Sequence, residues 1–148
     1  MARDSRTLDI FAWTPPALTQ RFEQAKVRAA SFKAAIAKGV ALALKECGKS
    51  REQVAAEMGA YLGEECPRTT LDAYASEARE DHVINVVRYA ALIHATRDIR
   101  LLMQLAEPMG WAVIPAKYLP AIEEAMLADK IEELQQRKAS ARKTWKGA

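Results

Sequence analysis

Residues 50–81 read SREQVAAEMGAYLGEECPRTTLDAYASEARED, and the fold turns on how they divide. Ser50 followed by Gln53 is a capping-box pattern, in which side chains satisfy the free amides of a helix start. The helix runs from 51 to about Tyr61, with Val54, Ala55 and Met58 recurring on its inward face. Gly63 ends it, and the segment around Glu64, Glu65, Cys66 and Pro67 makes a turn, since proline disfavours helix just before itself. Thr69 or Thr70 caps a second helix that continues to about Ala78 and buries Leu71, Tyr74, Ala75 and Ala78. Two short helices around a turn fit either a groove-reading motif or a plain helix pair over a core, and the pattern alone admits both.

Upstream, a long helix is expected from Ala17 to Cys47, with Gly48 as its stop. Phe22, Ala25, Ala29, Phe32, Ile36, Gly39 and Ala43 alternate spacings of three and four, a heptad seam rich in small residues. Such a seam pairs with the same helix of a second chain or covers the domain core. Residues 1–16 read as an arm: Ile10, Phe11 and Trp13 are apolar, and Pro15-Pro16 blocks helix until just afterwards. Three large apolar residues on an arm need cover, from their own domain or from a neighbouring subunit. Self-association, as a dimer or higher, is therefore assigned to Ile10, Phe11, Trp13, Phe22, Ala25, Ala29, Phe32, Ile36 and Ala43.

Downstream, Asn85 caps a helix over VVRYAALIHAT, and Asp98 caps another over DIRLLMQLAEPMG that Pro108 and Gly110 stop. WAVIP (111–115) is expected to be extended and to pack on the core. A last helix runs from about Lys117 past Leu134, with Leu119, Ile122, Met126, Leu127, Ile131 and Leu134 as its apolar positions; Leu127, Ile131 and Leu134 offer an alternative interface between chains. The end, from 137 on, is expected to fray into a basic tail. The fold class is thus all-α: an arm (1–16), a multi-helix domain (17–136) containing the helix-turn-helix-like pair between long terminal helices, and the tail (137–148).

Half of the 148 residues are hydrophobic, and Gly and Pro number six each, which suits one helical domain. The net charge of +3 is unevenly spread. Residues 1–50 carry nine Lys/Arg against four Asp/Glu, residues 51–128 seven against twelve, and residues 129–148 six against three. Basic ends around an acidic middle fit nucleic-acid contact by the ends, or simply solvated helix faces. Cys47 and Cys66 have neither metal spacing nor a disulfide framework. His82 and His94 lack ligand partners, and EDH (80–82) reads as a solvated junction. No phosphate-cradling glycine loop precedes a helix, and no nucleophile has a base. The start MARDSRTLDIFAWTPP has no apolar signal core, and no apolar run reaches membrane-span length, so a soluble cytoplasmic protein is expected. No catalytic residue, metal or cofactor is expected, and no small-molecule substrate.

If the 50–81 pair is a helix-turn-helix, its second helix offers Arg68, Thr69, Thr70, Asp72, Ala73, Ser76 and Arg79 to double-stranded DNA. Arginine can pair with guanine or phosphate, Thr and Ser with phosphate, and Ala with a thymine methyl. Arg137, Lys138, Arg142, Lys143 and Lys146 would hold phosphates. Against this, the turn is long for the compact motif, and Asp72, Glu77, Glu80 and Asp81 repel phosphates.

Residues 50–114, from SREQVAAEMGAYLG through LDAYASEAREDHVINVVRYAALIHATRDIRLLMQLAEPMGWAVI, resemble the CII-type regulatory proteins of temperate phages. The shared pattern is a helix pair, a junction, a helix ending in an Ala-Thr-x-Asp box (ATRD, 95–98) and a leucine-rich helix ending near LAEPMGW; Arg97 stands where that box more often has Gly. The whole chain is similar to small early-region proteins of Mu-like transposable phages, through LDIFAWTPP and VRAASFKAAIAKGVALALKECGKSREQVAAEM. The resemblance implies phage or prophage origin, from regions that encode repressors, activators, transposition helpers and host modulators alike. Taken with the helix pair and the basic ends, the expected function is a non-enzymatic DNA-binding regulator of transcription or transposition. The alternative is a protein-interaction or host-modulating module that works through the apolar arm and the acidic middle.

Overall fold

The computed structural model describes residues 14–79 and 81–147. Within them lie seven α-helices and no strand: α1 (Gln24–Val27), α2 (Phe32–Glu46), α3 (Arg51–Leu62), α4 (Arg68–Tyr74), α5 (Val86–Thr96), α6 (Arg100–Ala106) and α7 (Leu119–Lys146). Short 3-10 turns follow α6 (Glu107–Met109) and precede α7 (Ala116–Tyr118). The chain divides into two units, one ending at Val113 and the other beginning at Ile114. The boundary drawn from sequence at 136/137 falls inside α7.

The long first helix expected from Ala17 to Cys47 is broken. Arg28 is extended, and Ser31 (φ −134°, ψ 159°) starts α2 afresh, its hydroxyl accepting the Ala34 N–H at 3.1 Å. Lys38 donates to the freed Arg28 carbonyl at 2.6 Å, which satisfies the broken backbone. The break lets Phe22 and Val27 fold onto the core instead of running on in line. The seam is corrected with it. Phe22, Ile36 and Ala43 are buried within their own chain, Ala29 is half-buried, and Ala25 and Phe32 are exposed. They form no continuous strip for a second copy. Ile10, Phe11 and Trp13 lie outside the described residues.

The first unit is built around side chains fully removed from solvent: Val40 and Ala43 on α2, Val54 and Met58 on α3, Leu71 on α4, Ala91, Leu92 and Ala95 on α5, and Leu101 on α6. α3 packs chiefly on α5, and the alanines of α5 allow the close approach. The capping box of α3 is present, with Ser50 Oγ accepting from Gln53 N (3.2 Å) and Gln53 Oε1 from Ser50 N (2.9 Å). Asn85 caps α5 by accepting from Arg88 N at 2.9 Å. The segment 111–115 has no regular structure, and Trp111 is 72% exposed, so the expected docking of WAVIP does not extend to its largest side chain.

The second unit is dominated by α7, a helix of 28 residues with no buried side chain. It continues through Lys146, so the basic end is helical and does not fray.

Candidate nucleic-acid interface

The α3–α4 pair is shaped by two glycines. Gly63 closes α3 in the left-handed conformation (φ 70°). The Gly59 carbonyl accepts from Gly63 N (2.8 Å) and Glu64 N (3.2 Å), drawing the chain back across the helix end. A Cβ on Gly59 would lie 2.8 Å from the Glu64 carbonyl oxygen, so the turn sits where only glycine fits without movement. Cys66 is buried in this turn, and burial pushes its thiol pKa up.

α4 begins and ends earlier than expected. Pro67, at φ −66° and ψ 145°, is the N-cap, no threonine side chain caps the helix, and the last helical residue is Tyr74. Leu71 and Tyr74 anchor it in the core, while beyond its end Ala75 is half-buried and Ala78 is exposed. The proposed reading face changes accordingly. Arg68 and Thr69 are exposed, and Thr70 and Asp72 are half-buried. Ala73 is buried (4% exposed), and it is withdrawn as a base contact. Ser76 and Arg79 lie beyond the helix, lining a small cavity with Lys33 and Tyr74.

Electrostatically this face is occupied. Arg68 pairs with Glu52 of α3 and, at 3.5 Å, with Asp72; Arg51 pairs with the same Asp72. A backbone hydrogen bond and Arg68 hold the Glu52 carboxyl below its usual pKa. Arg88 ties the pair to α5, donating to the Tyr74 hydroxyl at 2.9 Å and pairing with Glu64 at 3.4 Å. Tyr61 stacks on His94 at 4.3 Å, which places that half-buried histidine in α3–α5 packing. Glu52 and Arg51 were not singled out from sequence. Their partners lie a helix away, and no local spacing announces them.

The basic residues of α7 differ. Lys138, Arg142 and Lys146 follow one another at intervals of four, one row with a rise of about 6 Å per step. Lys143 lies beside the row, and none of the four has an ionic partner among the described residues. Arg137 approaches Glu133 at 4.0 Å. The structure gathers these five onto one helix end, in the second unit, while Arg68 and Thr69 belong to the first.

The ATRD box is a joint between helices. Ala95 is fully buried. The buried Thr96 hydroxyl donates to the Leu92 carbonyl at 2.8 Å and accepts from Asp98 N at 3.3 Å. Arg97 closes α5 in the left-handed conformation (φ 58°). Asp98 accepts from Arg100 N (3.1 Å) and from its guanidinium (2.7 and 2.8 Å). Glu46 also pairs with Arg100 at 2.7 Å, and Phe22 lies under its guanidinium at 4.5 Å. The Asp98 hydrogen bond raises the Arg100 pKa further, so the guanidinium stays charged. Among the described residues, no group of three or more His, Cys, Asp or Glu is placed to hold a metal ion. No described helix is long and apolar enough to cross a membrane.

In comparisons with known proteins, the chain matches no family model, no curated protein and no solved structure.

Proposed function

We propose that the protein is a non-enzymatic DNA-binding regulator, of phage or prophage origin, that holds duplex DNA chiefly through the basic end of α7. The observation that carries this is the row Lys138, Arg142 and Lys146 with Lys143 beside it, all exposed, with no acidic residue after Glu133. Unpaired cations at regular intervals on a rigid rod neutralise phosphates and release counterions, which drives binding of any duplex sequence. Base selection falls to the start of α4, where Arg68 must exchange Glu52 and Asp72 for the DNA. The resemblance of residues 50–114 to CII-type phage regulators supports the same reading and extends it to transcription or transposition control.

The ion-paired α3–α4 face favours one rival. With Glu52, Glu64 and Asp72 exposed or half-exposed beside Arg68, that surface suits a basic protein partner as well as DNA. Fluorescence anisotropy on a labelled duplex of random sequence separates the two. Binding at about 50 mM salt that is lost as salt rises supports the DNA reading. No binding at that salt, with the fold intact by circular dichroism, overturns it in favour of the interaction module.

A further inference from the structure

We infer that α7 is a self-association helix that pairs antiparallel with the α7 of a second copy of this chain. The inference does not depend on DNA binding. Leu119, Ile122, Met126, Leu127, Ile131 and Leu134 are each between 39% and 68% exposed, along a helix that buries no side chain. Six large apolar residues on one exposed helix call for a partner. Their order specifies which. The set is symmetric about the midpoint between Met126 and Leu127. Reversing one helix against another about that point puts Leu119 level with Leu134, Ile122 level with Ile131, and Met126 level with Leu127. An isologous twofold interface has this property, since each contact is made twice with the roles exchanged.

Charge selects the same arrangement. The reversal brings Glu123 level with Lys130 of the other copy, twice. At helical spacing both charges fall near the middle of the apolar face, where complementary pairs fix register. A parallel pair would set Glu123 against Glu123 and crowd the two basic ends side by side. The antiparallel pair carries residues 137–146 outward at opposite ends, where like charges are farthest apart. Within one chain Lys130 pairs with Glu133 at 2.6 Å, and this exposed contact is exchangeable.

Sedimentation equilibrium on the full chain tests this. The wild type is expected at twice the 16.4 kDa chain mass. Glu123→Lys puts two cations on the face and Lys130→Glu two anions, so each alone should raise the dissociation constant at least about tenfold. Mixed in equal amounts, the two variants should recover a dimer, because each cation then meets an anion. Circular dichroism of the separate variants confirms that α7 remains helical. A wild-type monomer at about 100 µM overturns the inference, and means that α7 is covered by its own chain or stays bare. Failure of the mixture to associate more tightly than either variant overturns the antiparallel register.

Discussion

Arg97 is the one described residue other than glycine with a positive φ, at 58°. A side chain in the left-handed region brings Cβ against the carbonyl, a strain of about 1 kcal/mol that glycine escapes. Arg97→Gly should therefore raise stability by about 0.5–1 kcal/mol, after allowing for the looser unfolded chain. Thermal unfolding checks it: a lower midpoint would mean that the arginine holds something more valuable than the strain. Tyr89 is the opposite case. Its ring is buried and its hydroxyl donates to the Leu101 carbonyl at 2.7 Å, tying α5 to α6. Burial, with Asp98 nearby, raises its phenol pKa well above the usual range. Tyr89→Phe should lose about 1–2 kcal/mol in urea unfolding, because the Leu101 carbonyl is left without that donor in a dry site. Equal stability would show that water reaches the carbonyl.

Gly59 governs the α3–α4 element through the 2.8 Å approach of the Glu64 carbonyl oxygen. Helix propensity alone favours alanine there by about 1 kcal/mol. The clash with backbone should outweigh it, and Gly59→Ala should destabilise by about 1–2 kcal/mol net. A gain on urea titration would contradict the tight turn. Functionally, Glu52→Gln releases one partner of Arg68 and removes a negative charge, so it should tighten duplex binding severalfold if α4 faces DNA. Arg68→Ala should weaken binding to a cognate site by about 1–3 kcal/mol. If anisotropy moves in neither variant, α4 is not part of the interface. The existence of α3 and α5 and the inward face of α3 were legible in sequence, because Ser50, Gln53 and Asn85 announce starts and Val54, Ala55 and Met58 recur at helical spacing. The inward face of α5 was not: Val86, Tyr89, Ala90 and Ile93 also recur at that spacing, but Val86 is 83% exposed and the helix buries Ala91, Leu92 and Ala95 beside Tyr89. The break at 28–31 was not. Residues 25–43 read as an unbroken seam, and the stop is set by Ser31 capping and by Lys38 reaching a carbonyl ten residues away. The early end of α4 was hidden similarly, since Ala75 and Ala78 match helical spacing but bury little. The partners of Arg68 were illegible because Glu52 sits on another helix.

At the scale of the whole molecule, the α2–α6 core holds the α3–α4 pair in place, while α7 carries its apolar stretch and its cations on a separate unit. The basic residues were readable as a cluster in sequence, but their helical row was not, since the end was expected to fray. A helix through Lys146 turns a frayed tail into a row of fixed spacing. Rigid spacing lets several cations meet successive phosphates without the ordering penalty of a loose chain. The most direct test is the salt dependence of duplex affinity for the wild type and for the combined variant Lys138→Ala, Arg142→Ala and Lys146→Ala. Each lost phosphate contact flattens the plot of log affinity against log salt by about 0.9, so the account predicts a slope shallower by about 2.7 with helicity unchanged. An identical slope in the two proteins would contradict it.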